Sequence, residues 1–138
     1  MEKYNITKKK DRIARYSTLV SVEMMESLRT KIIEKIVVEQ KYKDKDYSAK
    51  QLADDIETNT RYISAVLSVK FHTNYATFVN QLRINDAKSF LMDRRYDDLN
   101  MEEIGELVGF SNRQSFYASF YKMTGKTPRT YRMESKKR

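Results

Sequence analysis

An internal repeat constrains the fold of this 138-residue chain more than any other feature. Two segments share the same order of apolar and polar residues at a spacing of 52 and, after one inserted residue, of 53. The residues matched at a spacing of 52 are Leu52, Ala53, Ile56 and Asn59 with Ile104, Gly105, Val108 and Ser111. Those matched at a spacing of 53 are Ile63 and Leu67 with Phe116 and Phe120. The repeat predicts that the chain builds one small supersecondary unit twice.

Each copy has the sequence pattern of a short helix, a turn of three residues and a second, capped helix. Apolar residues recur at helical spacing, and a chain with three glycines and one proline favours helix throughout. Asn59 and Ser111 are the expected N-caps of the second helices. The predicted helices span about 49–56, 60–71, 101–108 and 112–124. This order of elements is typical of a helix-turn-helix.

Three further helices complete the predicted fold. An amphipathic helix over roughly 18–40 precedes the repeat, a long helix over about 75–92 joins the two copies, and a short helix runs through Tyr131. Residues 1–17 form a basic N-terminal arm, and 18–138 form one domain. The expected fold class is therefore all-α, with two helix-turn-helix subdomains joined by a long linker helix and preceded by an N-terminal amphipathic helix.

The composition argues against several classes of function. The chain has no cysteine and a single histidine, His72, which argues against thiolate zinc sites, cysteine nucleophiles and histidine-based metal sites. We interpret His72 as a helix-end residue. The longest apolar stretches, such as 36–38, are too short to span a bilayer, and the N-terminus lacks the apolar core of a signal peptide. We expect a cytoplasmic protein that is not an enzyme and uses no metal or cofactor.

The charge indicates a polyanionic partner. The chain has 27 basic and 19 acidic side chains, a formal charge of +8, and the excess lies at the two ends. Residues 1–15 hold six basic and two acidic side chains, and 111–138 hold eight and one, whereas 46–92 is balanced at five and five. Nucleic acid is the first candidate partner, and an anionic membrane surface is the second.

The second copy carries a more specific signature. It includes Ile104-Gly105-Glu106-Leu107-Val108-Gly109-Phe110-Ser111, Ser115-Phe116, Phe120-Tyr121-Lys122, Gly125-Lys126-Thr127-Pro128 and Tyr131-Arg132. With upstream matches such as Leu52-Ala53 and Tyr62-Ile63-Ser64, it resembles the DNA-binding domain of AraC/XylS-type bacterial transcription regulators over about residues 27–133. The resemblance implies a short stand-alone regulator at the nucleoid, although a fragment of a longer protein is the alternative. It also implies that the 75–92 helix is a rigid spacer, so that two recognition helices enter successive major grooves about 34 Å apart.

The outward faces of the two recognition helices give the expected base contacts. Ile63, Val66 and Leu67 are expected in the core of the first copy, and Phe116 and Phe120 in that of the second. The remaining positions are the candidates for base contact: Arg61, Ser64, Ala65, Ser68, Arg113, Gln114, Ser115 and Ala118. Arg61 and Gln114 lead, because arginine pairs with guanine and glutamine with adenine.

Phosphate contacts are expected at helix N-termini and at positive side chains. The candidates are Asn59, Thr60, Ser111, Asn112, Lys122, Lys126 and Arg132. Two departures from the family lie at helix ends: Glu57 replaces a common turn glycine, and His72 replaces the glycine that usually closes the second helix. Since the first copy is electrically neutral, we expect the second to supply more of the phosphate attraction.

Two other functions stay open. One is an architectural DNA binder with little sequence preference, and the other is an interaction module that sequesters another regulator through the 18–40 helix. The resemblance implies activation through RNA polymerase, and the acidic stretch Glu102-Glu103-Glu106 is a hypothetical contact for it. The oligomeric state, the operator and any signal are not predicted.

Overall fold

The computed structural model describes residues 20–137, so the predicted basic arm over 1–17 lies outside the described residues. Within the described range the chain forms seven α-helices and no strand, which confirms the all-α fold class. They are α1 Val22–Ile33, α2 Ala49–Asp55, α3 Thr60–Phe71, α4 Tyr75–Met92, α5 Met101–Val108, α6 Arg113–Thr124 and α7 Pro128–Lys136. A π-helical turn, Glu34–Val38, continues α1, and 3-10 turns occupy Lys41–Lys43 and Arg94–Tyr96. None of these helices combines the length and the apolar character needed to cross a membrane.

The helices of the repeat and the long helix α4 lie where the sequence predicts them, but two predicted limits are wrong. The first helix begins at Val22 rather than at 18, because Ser21 has extended backbone and its side chain caps the first turn. The last helix continues past Tyr131 to Lys136. The start of α1 is set by a capping side chain, which periodicity alone does not locate.

The described residues fall into two compact units. The first unit comprises the described residues up to Glu39 and Tyr47–Phe78, and it contains the first helix-turn-helix, α2 and α3. The second unit comprises Gln40–Asp46 and the described residues from Val79 onward, and it contains the second helix-turn-helix, α5 and α6. Gln40–Asp46 therefore packs with the second copy of the repeat, although it lies between α1 and α2 in the sequence.

The apolar stripe of α1 is part of the core of the first unit. Its buried residues are Met25, Leu28 and Ile32, and the π-helical turn that follows adds Ile36. Helix α1 packs on α3, where the Lys70 ammonium pairs with Glu26 and holds the pKa of that carboxyl below its ordinary value. The Arg29 guanidinium carbon lies 5.8 Å from the centroid of the Phe71 ring. The recognition helix of the first copy thus has a partner in α1 as well as in α2.

The second unit is built around aromatic side chains. Its buried cluster comprises Ile84, Ala87, Leu91, Met101, Ile104, Val108, Phe110, Phe116 and Phe120. The rings of Phe116 and Phe120 are fully buried and meet edge to face, with their centroids 5.8 Å apart. A Cβ at Gly105 would lie 3.0 Å from the Phe116 ring, so glycine lets α5 and α6 approach around this large side chain.

The segment Gln40–Asp46 is fastened to the turn of the second helix-turn-helix. Gly109 has a φ of +112°, and a Cβ there would collide with the carbonyl oxygen of Tyr42 and lie 2.8 Å from Nε of Arg83. Arg83 Nε donates to that same carbonyl at 2.6 Å, and its guanidinium carbon lies 5.6 Å from the Phe110 ring centroid. The Tyr42 hydroxyl donates to Asp86 at 3.0 Å, and burial raises the pKa of Tyr42 to about 12.

Candidate nucleic-acid interface

The two recognition helices, α3 and α6, have the same length and the same kind of N-cap. Each contains 12 residues. Asn59 Oδ1 accepts the Tyr62 amide at 2.9 Å before α3, and Asn112 Oδ1 accepts the Ser115 amide at 2.8 Å before α6. The prediction that Ser111 caps the second helix is therefore wrong. Asn59 and Asn112 are 53 residues apart. The residue that the second copy has in addition to the first therefore lies before Asn112.

Within the two copies of the repeat, residues in the left-handed conformation also occur in matched pairs. Glu57 has a φ of +58°, and Gly109, 52 residues later, has a φ of +112°. His72 ends α3 with a φ of +54°, and Gly125, 53 residues later, ends α6 with a φ of +75°. The interpretation of His72 as a helix-end residue is confirmed. The backbone of the repeat is conserved between the two copies even where glutamate or histidine replaces glycine, at a cost of about 1–2 kcal/mol each.

The correspondence extends to the helices that flank each recognition helix. Ser48 caps α2 and Asn100, 52 residues later, caps α5. Asn74 accepts the Thr77 amide at the start of α4 at 2.9 Å, and Thr127, 53 residues after Asn74, caps α7. Equivalent positions of the two units can therefore be compared residue by residue.

The exposed face of α3 is narrower than its sequence predicts. Arg61 and Ser64 are exposed and Ser68 is partly buried, but Ala65 is 0% exposed. The prediction that Ala65 faces outward to contact a base is therefore wrong. Both α1 and α2 pack on α3. The buried face of α3 is therefore wider than the apolar residues around Ile63 predict.

On α6, all four of the predicted residues are exposed: Arg113, Gln114, Ser115 and Ala118. Arg113 differs from the others because it turns along its own helix to Tyr117. Its guanidinium carbon lies 4.8 Å from the centroid of that ring, and its Nη2 donates to the hydroxyl at 3.4 Å. Gln114 and Ala118 form a separate row on the helix surface, since residues four apart lie on one face.

The predicted phosphate contacts divide into available and occupied groups. The available residues are exposed at or near the recognition helices: Asn59, Thr60, Ser111, Asn112 and Lys122. The first amides of α3 and α6 have no partner within their own helices, which makes these ends suited to anions. Lys126 is exposed but pairs with Glu134.

Arg132 cannot serve as predicted, because its guanidinium points into the second unit. Nη1 donates to the Leu99 carbonyl at 2.8 Å and Nη2 to the Tyr96 carbonyl at 3.2 Å, while Nε is buried. These bonds tie α7 to the turn that precedes α5. The prediction of a phosphate contact at Arg132 is therefore wrong, and its role is structural.

Within residues 20–137, no group of three or more histidine, aspartate and glutamate side chains is placed to hold a metal ion. The exposed polar faces of α3 and α6 are instead suited to a surface that offers hydrogen-bonding groups and phosphates.

Comparison with known proteins agrees with this geometry. The profile of a helix-turn-helix domain family matches residues 52–134, more than half of the chain. The chain is 28% identical over 86 residues to an uncharacterized HTH-type transcriptional regulator, YtdP, of Bacillus subtilis, a match that covers 62% of this chain and 11% of the relative. It is 24% identical over 95 residues to the melibiose operon regulatory protein of Escherichia coli K12, covering 69% and 30%. The chain thus spans less than a third of the length of these relatives.

A solved structure is similar over most of the chain. It is the C-terminal domain of the two-component response regulator yesN from Fusobacterium nucleatum, with a TM-score of 0.65 and 26% identity. The match covers 75% of this chain and 98% of that domain. Since the profile match includes both recognition helices and the fold agrees with it, the chain belongs to the AraC-type family of helix-turn-helix domains, whose members are DNA-binding transcription regulators and not enzymes.

Proposed function

We propose that this chain is a sequence-specific transcription regulator that places α3 and α6 in two successive major grooves of double-stranded DNA. The observation that supports this most strongly is the equivalence of the two helices, which share a length of 12 residues, an asparagine cap and an exposed polar face. A major groove admits an α-helix, and each base pair presents a distinct hydrogen-bonding pattern there.

Arg61 on α3 and Gln114 on α6 are the leading base contacts in this proposal. Both side chains are exposed within the first turn after a capping asparagine, the part of a recognition helix that reaches base edges. Arginine suits guanine O6 and N7, and glutamine suits adenine N6 and N7. Ser64, Ser115 and Ala118 are exposed on the same two helices, and they add smaller contacts such as an alanine methyl against a thymine methyl.

Selection from a random pool of duplexes with the purified chain tests the proposal. We expect enrichment of two half-sites about 10–10.5 base pairs apart from centre to centre. The recovered duplex and a shuffled duplex are then titrated at two salt concentrations. Equal affinity for both, with a steep salt dependence, would favour the architectural binder instead. Enrichment of a single half-site would refute the use of two grooves.

Substitutions separate base contacts from general attraction. Arg61→Ala and Gln114→Ala should each cost about 1–3 kcal/mol of binding and relax the preference at particular base pairs. The matched controls are Arg94→Ala and Gln81→Ala, which remove the same side chains from exposed positions outside the recognition helices. Uniform weakening across all duplexes would make Arg61 or Gln114 a phosphate contact.

The sequestration alternative loses part of its basis in the fold. Four residues of the apolar stripe that would have offered this segment to another regulator are buried in the first unit, namely Met25, Leu28, Ile32 and Ile36, whereas Val22 and Val37 are exposed. If the chain bound no duplex but co-purified with a protein, that alternative would nevertheless replace the present proposal.

We further propose that the chain activates transcription through contact with RNA polymerase. In this proposal it acts at the nucleoid in the cytoplasm. Glu106 is exposed on α5, as are Glu102 and Glu103, but Glu103 also accepts the Asn100 amide in a capping box. Transcription from a promoter that carries the selected duplex, with purified polymerase, tests this role. Glu106→Ala should reduce transcription while duplex affinity is unchanged, and unchanged transcription would remove Glu106 from the proposed contact.

A further inference from the structure

We propose that Arg113 and Arg129, on two helices of the second unit, together hold one backbone phosphate of the DNA. Arg113 then positions α6 on the duplex instead of contacting a base. Arg129 joins the interface, although it is not among the DNA contacts predicted from the sequence. This assignment rests on the proposed function and specifies how one of the two recognition helices is anchored.

The two arginines meet at one open cavity. The cavity has a volume of about 190 Å³, and Asn100, Met101 and Glu102 at the start of α5 complete its lining. Three helices thus contribute to it: α5, α6 through Arg113, and α7 through Arg129. With two positive side chains and one negative, the lining has a surplus of positive charge.

Both guanidinium groups are available to a ligand. Arg113 and Arg129 are exposed, and among residues 20–137 neither forms an ion pair. The Tyr117 ring, 4.8 Å from the guanidinium carbon, supports Arg113 on one face and leaves donors at its edge. A guanidinium presents its N–H groups in a planar fork that matches two phosphate oxygens, so two such groups can bind one phosphate from different sides.

The orientation of Arg113 argues against its predicted base contact. Its side chain follows the row of Tyr117 and borders the cavity shared with α5 and α7. Gln114 and Ala118 form the next row, which is turned by about 100° around the helix. A base contact from Arg113 would require it to leave both the ring and the cavity.

The first copy of the repeat provides an internal comparison. The positions equivalent to Arg113 and Arg129 are Thr60 and Ala76, because the capping residues on either side match at a spacing of 53. The first copy therefore lacks both arginines, and Lys50 stands where the second copy has Glu102. The paired arginines account for part of the greater phosphate attraction expected of the second copy.

Methylphosphonate scanning of the selected duplex tests the proposal. Arg113→Thr and Arg129→Ala install the residues of the first copy and should each weaken binding about tenfold. If both arginines hold one phosphate, the double variant should lower the slope of log affinity against log salt by about 0.9, the value for a single phosphate. On a duplex in which that one phosphate is replaced by a neutral methylphosphonate, each single variant should bind as tightly as the wild-type chain binds the same duplex.

Control variants separate this site from general charge loss. Arg94→Ala combined with Lys137→Ala removes the same charge from exposed positions outside the cavity, and no single methylphosphonate should cancel its effect. Glu102→Gln should tighten binding by removing the negative group from the lining. Arg113→Lys, which keeps the charge, should weaken binding less than Arg113→Thr, and unchanged unfolding midpoints show that the variants remain folded.

The outcomes distinguish this proposal from the function on which it rests. If the wild-type chain enriches no duplex, the proposed function fails. If the chain binds a selected duplex but no single methylphosphonate position removes the affinity difference between the wild type and both arginine variants, the proposal of one shared phosphate is refuted and the proposed function stands. A relaxed preference at one base pair in Arg113→Thr would return Arg113 to its predicted base contact.

Discussion

Replacement of Gly109 by alanine should destabilise the protein more than the same replacement of Gly125. Both glycines have positive φ, +112° and +75°, so alanine at either costs about 1–2 kcal/mol of backbone strain. Only at Gly109 does the new Cβ also meet other atoms. It would collide with the carbonyl oxygen of Tyr42 and lie 2.9 Å from Cα of Lys43, whereas nothing lies within 4 Å at Gly125.

The additional steric cost at Gly109 can be bounded. The atoms that the Cβ meets include backbone atoms, which cannot move aside as the end of a flexible side chain can. Overpacking of this kind costs about 1–3 kcal/mol, which gives a total of about 2–5 kcal/mol for Gly109→Ala and about 1–2 kcal/mol for Gly125→Ala. The difference measures how tightly Gln40–Asp46 is packed on the turn of the second helix-turn-helix.

Urea unfolding followed by circular dichroism provides the assay. The free energy of unfolding is extrapolated for the wild-type chain and the two variants, and the denaturant slope is compared between them, because a changed slope would indicate altered compactness rather than altered stability. Equal losses in the two variants would refute the close approach of Tyr42 to Gly109 and, with it, the placement of Gln40–Asp46 in the second unit.

Three further predictions concern the caps, Arg132 and pH. Asn112→Ala should lower the free energy of unfolding by about 1 kcal/mol, and Ser111→Ala should leave it nearly unchanged; equal losses in urea unfolding would restore Ser111 as the cap. Arg132→Ala should cost about 1–3 kcal/mol because two carbonyls lose their donor, whereas the salt dependence of DNA binding should not change; a shallower slope would make Arg132 a phosphate contact. Since burial raises the pKa of Tyr42 from 10.0 to about 12, the folded state favours its protonated form. Its contribution to stability should be complete below pH 10 and lost as the pH rises towards 12, so the free energy of unfolding should fall more in the wild type than in Tyr42→Phe over that interval; parallel curves would contradict this.

The helices could be predicted because their signals are local. Helical spacing of apolar residues locates each element, and residues such as Asn59 and Gly125 mark its ends through hydrogen bonds within one turn. The repeat adds a second constraint, since a match at a fixed spacing requires both copies to fold alike. Where two neighbouring residues can both cap a helix, the sequence prediction chose the wrong one: Ser111 was expected to cap α6, but Asn112 makes the bond.

The candidate site could be predicted only in part, because exposure depends on neighbouring helices. Gln114 and Ala118 are exposed as predicted, but Ala65, at the position equivalent to Ala118, is buried in a face that α1 also covers. Arg132 illustrates the same limit. Its partner carbonyl at Leu99 lies 33 residues away in the chain, and no pattern around Arg132 indicates that bond.

The sequence by itself determined that this chain is helical, that it contains one helix-turn-helix twice, and that its positive charge is concentrated at the ends. These properties follow from periodicity, capping and composition, which act over a few residues. The tertiary structure decided that Gln40–Asp46 joins the second unit, that Ala65 faces inward, and that Arg113 and Arg129 border one cavity. Each of these depends on which surfaces the backbone brings together over long distances in the chain, and short-range patterns carry no record of those approaches.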